Sequence, residues 1–534
     1  MGGVTTRGAA LAFTTFVSGA VLLGLELAAS RVLAPAFGNS LFVWGALIGV
    51  VLSGLAIGYW TGGVLADRWP SPRLLVGAVF IGGLLVLAVP LVDERVLDWV
   101  ERWDPGPRAD PLIAAIILFG PPSVVLATVT PIAVRIASRE LHTVGRTAGR
   151  LFSISTIGSI AGTFATAFWL IPELGVDQLI AVGATVLLLA ALPLAIADRA
   201  WLLAGGGAAL AAVAVAAAIA LAPDRDGTVS AVETRNYSPI VRSREDLYEN
   251  AYEPSVAGFQ LRDRRDTRYH HLLVMDSDGI RYLRFDSSFQ SAMRLARPYE
   301  GYFDYTNALQ VALGYRRSAR DMLFIGLGGG SAPKRIHRDF PEIRMRMVEI
   351  DPEVVDVARK WFAFPRSIPV DVEDGRRYLE RHDKRYDVIV IDAYYADAVP
   401  FHLTTREFLE ITRDRLKPGG VVVSNVIGAI KGDGSKLLRS FVRTYREVFP
   451  TVVLHPVYTS GEDFFATANI ILVASTGAAP DVDALRARWR AVRAQHPTAP
   501  DLNRLIGGRV DAVPTNDVPT LVDDYAPTDA LLVE

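Results

Sequence analysis

Long apolar runs confined to the first part of the chain constrain this protein more than any other feature. Between residues 8 and 222, stretch after stretch is dominated by Ala, Val, Leu, Ile, Phe and Gly, with charges only in short breaks. A helix needs about 20 apolar residues to cross a bilayer's hydrocarbon core. The breaks predict about seven spans, near 10–33, 41–64, 74–93, 111–136, 150–171, 177–197 and 201–222. The first run, from about Ala9 to Val32, is longer than a signal-peptide core and reads as the first span. Gly45, Gly49, Gly54 and Gly58 recur at helical spacing, where small residues let membrane helices approach closely.

Charges in the breaks give an orientation. Arg7, then Arg68 and Arg73, then Arg135, Arg139, Arg146 and Arg150 fall on one side, the cytoplasmic one. The break after the third span carries Asp93, Glu94, Asp98, Glu101, Asp104 and Asp110, and the one after the fifth carries Glu173 and Asp177. Six crossings return Asp198 and Arg199 to the cytoplasmic side. A full seventh crossing then places everything beyond residue 222 outside. Glu26 and Arg31, at or near the end of the first span, suit either a functional or a paired structural role. Gly63 to Arg68 is similar to a short cytoplasmic loop of major-facilitator transporters.

Two classes are excluded early. Lys plus Arg number 55 against 57 Asp plus Glu, a net charge of −2, which does not suit a general nucleic-acid binder. The chain has no Cys, so disulfides, thiolate zinc sites and cysteine nucleophiles are absent.

Beyond residue 222 the composition changes to that of a soluble protein. Residues 223–268 read as a linker or irregular segment. Leu272–Met275 and Tyr282–Phe285 read as strands joined by the turn Asp276-Ser277-Asp278-Gly279. A helix is predicted around Tyr302–Leu313. Then Met322–Ile325 runs into a glycine turn carrying Gly326, Gly328 and Gly330, with a helix from Pro333. Such a turn lets backbone approach a nucleoside cofactor. A second strand, Met345–Asp351, carries Glu349, placed to accept both ribose hydroxyls. A third, from Val370, leads to Asp374, within reach of an adenine amino group. A fourth, Tyr386–Ile391, ends at Asp392, and Val421–Asn425 forms a fifth. Ligands of open α/β sheets sit beyond the carboxyl ends of the strands, where all these features fall. Any one carboxylate alone also suits a turn or helix cap.

At these residues, from about Arg268 to Phe449, the chain resembles the spermidine synthase (polyamine aminopropyltransferase) family. Its first part resembles the membrane-fused bacterial branch through Glu26-Leu27, Ser30-Arg31 and Pro35-Ala36-Phe37-Gly38. Pro400 to Phe408 and the tail Val522 to Pro527 resemble the same branch. The resemblance implies a multi-pass α-helical membrane domain, residues 1–222. It also implies a Rossmann-like class I S-adenosylmethionine methyltransferase/spermidine synthase fold over 269–534. Within the latter, a small β-unit covers 269–300, the core 301–475 and a C-terminal segment 476–534.

The implied reaction moves an aminopropyl group from decarboxylated S-adenosylmethionine to a polyamine. Glu349 would hold the ribose, Asp374 the adenine, and Asp392 would be the catalytic acid–base residue. Tyr302 sits where the family has an active-site Tyr. Gln290 matches a cleft glutamine, and His270 stands where Gln is common. Two departures stand out. The family's loop Asp, which binds the donor's ammonium, is Gly329 here. The strand-four motif is Asp392-Ala393-Tyr394-Tyr395-Ala396-Asp397, in which Asp397 is the candidate second acid. Loss of the loop Asp opens the alternative of an intact S-adenosylmethionine donor and methyl transfer. A third reading makes the spans a polyamine transporter or sensor with a non-catalytic nucleoside-binding domain. Tyr394 and Tyr395 suit either the site or the packing of a loop, and His402 either a base or a cap. No metal and no nucleic acid are expected. An amine substrate and the bilayer are, with a homodimer open. The charges place the enzyme domain outside the membrane, whereas cofactor supply favours the cytoplasm.

Overall fold

The computed structural model describes residues 2–37, 41–103, 105–106, 108–138, 144–220, 259–394, 399–457, 464–465, 467–528 and 531. It divides into two compact units. One holds Met1–Arg235 with Asp263–Leu272, the other Asn236–Arg262 with Leu273–Glu534.

Among the described residues, the first unit contains seven helical segments long and apolar enough to cross a membrane: Arg7–Phe37, Leu41–Arg68, Pro72–Val100, Ala109–Ala137, Val144–Leu170, Val176–Ala197 and Trp201–Ala220. The third differs from the sequence expectation. It continues as helix to Trp103 instead of breaking at the acidic residues. Leu97 and Val100 keep an apolar face buried there, and Arg102 pairs with Asp98 one turn back. The fourth breaks at Thr128 into Ala109–Ala127 and Val129–Ala137. Pro131 has no N–H to return to the preceding turn, and Thr128 Oγ1 instead bonds the Val125 carbonyl at 2.7 Å.

Glycines do set the closest approaches, though only some of those expected. Cβ atoms placed on Gly54, Gly58 and Gly62 would fall 2.7, 2.3 and 2.7 Å from Ser123, Val124 and Thr128. Gly158 and Gly162 meet the Phe16 and Ala20 carbonyls in the same way, at 2.1 and 2.0 Å. Gly45 and Gly49 face open space. Asp198 pairs with both Arg7 and Arg73 at 3.4 Å, so these three charges gather at one end of the bundle. Arg135 pairs with Asp67 at 3.3 Å.

A four-stranded sheet of order β1-β2-β3-β4 comprises Gln260–Asp266, His271–Ser277, Ile280–Phe285 and Ser288–Arg294. Asp278 and Gly279 both have positive φ, 50° and 74°, the backbone a two-residue hairpin turn requires. Strand β1 lies in the segment read as irregular. Its sequence, Gln-Leu-Arg-Asp-Arg-Arg-Asp, hides the strand period behind charge, and pairs such as Arg262–Asp276 at 2.7 Å satisfy those charges.

The second sheet is seven-stranded, of order β10-β11-β9-β8-β5-β6-β7. Its strands are β5 Asp321–Ile325, β6 Arg344–Glu349, β7 Val370–Val372, β8 Tyr386–Ile391, β9 Leu416–Gly428, β10 Thr451–Pro456 and β11 Ala468–Ser475. Strands β5 to β9 pair in parallel, whereas β11 runs antiparallel to both β9 and β10. The inner strands are near-continuous apolar runs, as burial on both faces demands. From β5 the chain winds outward to β6 and β7, then returns to β8 on the other side of β5. The β5–β8 boundary is therefore the switch point where such sheets open a crevice.

Candidate active site

Parallel register assembles the site. Ile325 pairs with both Val348 and Ile391, the residues just before Glu349 and Asp392. Gly326, Glu349 and Asp392 therefore leave three neighbouring strands at one level. Glu349 in turn pairs with Val372, two residues before Asp374. All four features stand at the carboxyl edge of the sheet.

The glycine turn has the backbone its sequence suggested. Gly326, Gly328 and Gly330 have φ of 96°, 51° and 67°, a region that penalises side chains. The turn leads into helix Ser331–Asp339. Glu349 organises it: one carboxylate oxygen accepts the Leu327 N–H at 2.9 Å and the other the Asp351 N–H at 3.0 Å. Gly329 donates its N–H to Ser291 Oγ at 2.8 Å. A Cβ on Gly329 would meet Ser291 Cβ at 2.8 Å and Phe362 at 3.0 Å, so the space beside the loop is filled. Gln290 precedes Ser291 on β4.

Asp374 caps helix Gly375–Arg381, accepting the Arg377 N–H at 2.9 Å. Its second oxygen meets His402 Nε2 at 2.8 Å. Burial works to raise its proton affinity. The hydrogen bonds from His402 and Arg377 outweigh this and hold the carboxyl below its usual range. The His402 segment is anchored in turn. Arg376 pairs with Asp523 through two contacts of 2.6 and 2.7 Å, and Thr405 donates to Asp523 at 2.7 Å.

Asp392 has a different environment. Its N–H continues the sheet to the Ile325 carbonyl at 2.9 Å, and its Oδ1 accepts Asn425 Nδ2 at 3.0 Å. Burial pushes the carboxyl up to about 6, against the lowering effect of Asn425. Tyr305, on helix Asp304–Ala308, lies close enough to feel its charge. Burial raises that phenol, and Asp392 and Tyr394 raise it further. Tyr394 donates to the Asn425 carbonyl at 2.7 Å and accepts the Ile427 N–H at 3.2 Å, tying the loop after β8 to β9.

Other expected site residues have their own surroundings. The Tyr302 hydroxyl lies 3.5 Å from that of Tyr282, and its ring faces Arg294 at 5.0 Å, within the aromatic cluster of Phe259, Tyr282, Phe289 and Phe303. Tyr305, three residues on, feels the charge of Asp392, as Tyr394 does. His270 is buried between β1 and β2, in the segment that clusters with the helical unit. Asp397 and Tyr395 lie outside the described residues. Asn425, Ser291 and Tyr305 were not expected. Only Tyr305 carried a sequence signal, as one of three aromatics in Tyr302-Phe303-Asp304-Tyr305.

At the opposite edge of the sheet, acidic residues serve the fold. Asp387 accepts the Arg320 and Asp321 N–H groups, both at 3.0 Å, and pairs with Arg316 and Lys417 at 2.9 and 2.8 Å. Asp321 pairs with Arg344, and that hydrogen bond above all holds its carboxyl far below the usual range.

Residues 303–470 match the family model described as the spermine/spermidine synthase domain. A polyamine aminopropyltransferase of Vibrio vulnificus is 38% identical over 153 residues, 28% of this chain and 50% of that protein. One from Chromobacterium violaceum is 30% identical over 193 residues, 35% of this chain and 72% of that protein. An N-terminal histidine N-methyltransferase of Emericella nidulans is 30% identical over 217 residues, 36% of this chain and 38% of that protein. The chain thus spans half the length of the Vibrio relative and more of the Chromobacterium one.

Proposed function

The chain belongs to the spermine/spermidine synthase family, and on that premise we propose that it transfers an aminopropyl group from decarboxylated S-adenosylmethionine to an amine of the polyamine class. The observation carrying this reading is the shared level of Gly326, Glu349 and Asp392 at the switch point. In the proposed reaction the acceptor nitrogen forms a bond to the donor's aminopropyl carbon. The carbon–sulfur bond breaks, and its electron pair neutralises the sulfonium as methylthioadenosine leaves. The proton shed by the amine passes to Asp392.

A protonated amine is no nucleophile, so the base must hold a proton affinity suited to accepting one near neutrality. Asp392, raised to about 6, meets that requirement better than an ordinary carboxylate. Glu349 takes the ribose hydroxyls and Asp374 the adenine, with Gln290 as a further donor contact. Tyr305, which feels the charge of Asp392, joins Tyr302 as a candidate tyrosine beside the reacting groups, and Asp397 stays a candidate second acid. The seven apolar segments anchor the enzyme in a bilayer.

One observation favours a second reading. The space beside Gly329 is occupied by Ser291 and Phe362, leaving no room for the acidic side chain that the family places there. Without it, the carboxylate of intact S-adenosylmethionine meets no repulsion, and methyl transfer becomes the competing chemistry. Calorimetry on the purified full chain separates the two. The leading reading expects the decarboxylated donor to bind more tightly than the intact one. The reverse order supports methyl transfer, and binding of neither donor, nor of methylthioadenosine, removes both.

A further inference from the structure

We infer that Asn425 is the positioning residue for Asp392, and that Asn469 fixes which face of the Asn425 amide the carboxylate meets. The inference rests on the proposed role of Asp392 as the base.

The chain of contacts crosses three strands. Asn469, on β11, donates Nδ2–H to Asn425 Oδ1 at 3.0 Å. Asn425, on β9, donates Nδ2–H to Asp392 Oδ1 at 3.0 Å. An amide can turn over and exchange its oxygen and nitrogen, and nothing in Asn425 alone forbids that. The Asp392 carboxylate, which only accepts, draws the NH₂ end toward itself, and Asn469, donating to Oδ1, holds the other end; a turned amide would set an oxygen against the carboxylate and its NH₂ against that of Asn469. The antiparallel pairing of β11 with β9 puts Asn469 opposite Ile427, two residues from Asn425, so the ladder itself holds the spacing. Asn425 is only 6% exposed, too buried for water to substitute freely.

A neutral donor is suited to this place. Lys or Arg would cancel the charge of Asp392 and compete with a cationic amine. An apolar residue would leave the carboxylate unsupported and its proton affinity higher still. The amide fixes one oxygen and leaves Oδ2, among the described residues, without a protein hydrogen-bond donor. Ionisable groups facing Asp392 are Tyr305, from helix Asp304–Ala308, and Tyr394, from its own loop. Burial keeps both phenols neutral through the working range, so neither competes for the proton.

The test uses the full chain in detergent, with Asn425→Ala, Asn469→Ala and the double variant. Two readouts are taken: the pH dependence of kcat/KM, and the Asp392 carboxyl titration by infrared difference spectroscopy, its band assigned by loss in Asp392→Asn. Asn425→Ala is expected to lower kcat roughly 10- to 100-fold with donor affinity kept. It should also move the Asp392 titration upward by about one unit. Asn469→Ala should shift both in the same direction by less, and add nothing in the Asn425→Ala background. An unmoved titration in Asn425→Ala, or additive effects of the two substitutions, overturns the relay. If the wild type turns over neither donor, the functional reading fails on its own, and the titration still decides the relay. Should Asn425→Ala not fold, Asn469→Ala alone decides it, an unshifted titration there counting against the inference.

Discussion

A Cβ atom on Gly326 would lie 2.2 Å from the carbonyl oxygen of Asp392, so the glycine turn after β5 and the acid after β8 share one space that only glycine allows. The φ of 96° at Gly326 adds a second penalty for any side chain. Gly326→Ala is therefore expected to cost about 2–3 kcal/mol of stability in the α/β unit and to weaken donor binding together with turnover. Thermal unfolding and donor calorimetry check this. An unchanged melting temperature with unchanged affinity contradicts it.

Asp392→Asn should reduce turnover roughly 10²- to 10⁴-fold while nucleoside affinity stays within a few-fold. In the wild type, kcat/KM should fall as pH drops through about 6, where the base becomes protonated. The stability sign runs the other way. The folded carboxyl binds its proton more tightly than the unfolded one, so the folded state is favoured at low pH. That advantage is lost as pH rises from about 4 through about 6, a difference of up to about 3 kcal/mol. Asp392→Asn should thus be at least as stable as the wild type at pH 8. Glu349→Ala, in contrast, should weaken donor binding, because it frees the Leu327 N–H that fixes the turn.

Asp387 makes the opposite prediction. Burial works against its charge, but Lys417, Arg316 and two backbone N–H groups hold it at about 2. Its stabilising contribution is complete above the ordinary carboxylate value near 4 and is lost as pH falls through about 2. Asp387→Ala should destabilise the sheet by about 2–4 kcal/mol, by taking the acceptor from half-buried Arg316 and from the Arg320 and Asp321 N–H groups. Denaturant unfolding measures it, and a loss below 1 kcal/mol would show that the network is dispensable.

Because the chain lacks Cys, a single introduced thiol reports sidedness cleanly. Asp383 is 98% exposed, so Asp383→Cys should label freely. The arginine distribution and a full seventh crossing predict modification by an impermeant maleimide in intact cells. Labelling only after permeabilisation would mean that one of the seven segments does not cross.

Much of the α/β unit was legible because its strands are apolar runs and its ligand-side features follow them in order. Gly326, Glu349, Asp374 and Asp392 each come at or just beyond a strand's last apolar residue. Asp321 and Asp387 come at a strand's start, and their structural role follows from that polarity. What could not be read depends on pairing between distant strands. Nothing in Val-Val-Val-Ser-Asn says that Asn425 faces Asp392, or that β11 returns beside β9 with Asn469 in register. Tyr305 was not singled out because its place depends on where a short helix begins, and helix boundaries leave weak traces in sequence. Strand β1 escaped because its residues are charged, and the third apolar helix outran its expectation because its acidic end stays helical.

Product analysis by mass spectrometry on the purified full chain, supplied with a diamine and each donor separately, decides which group is transferred. Methylthioadenosine and an amine enlarged by one aminopropyl group are expected from the decarboxylated donor, and neither product from Asp392→Asn. Formation of S-adenosylhomocysteine from the intact donor, with no product from the decarboxylated one, would contradict aminopropyl transfer.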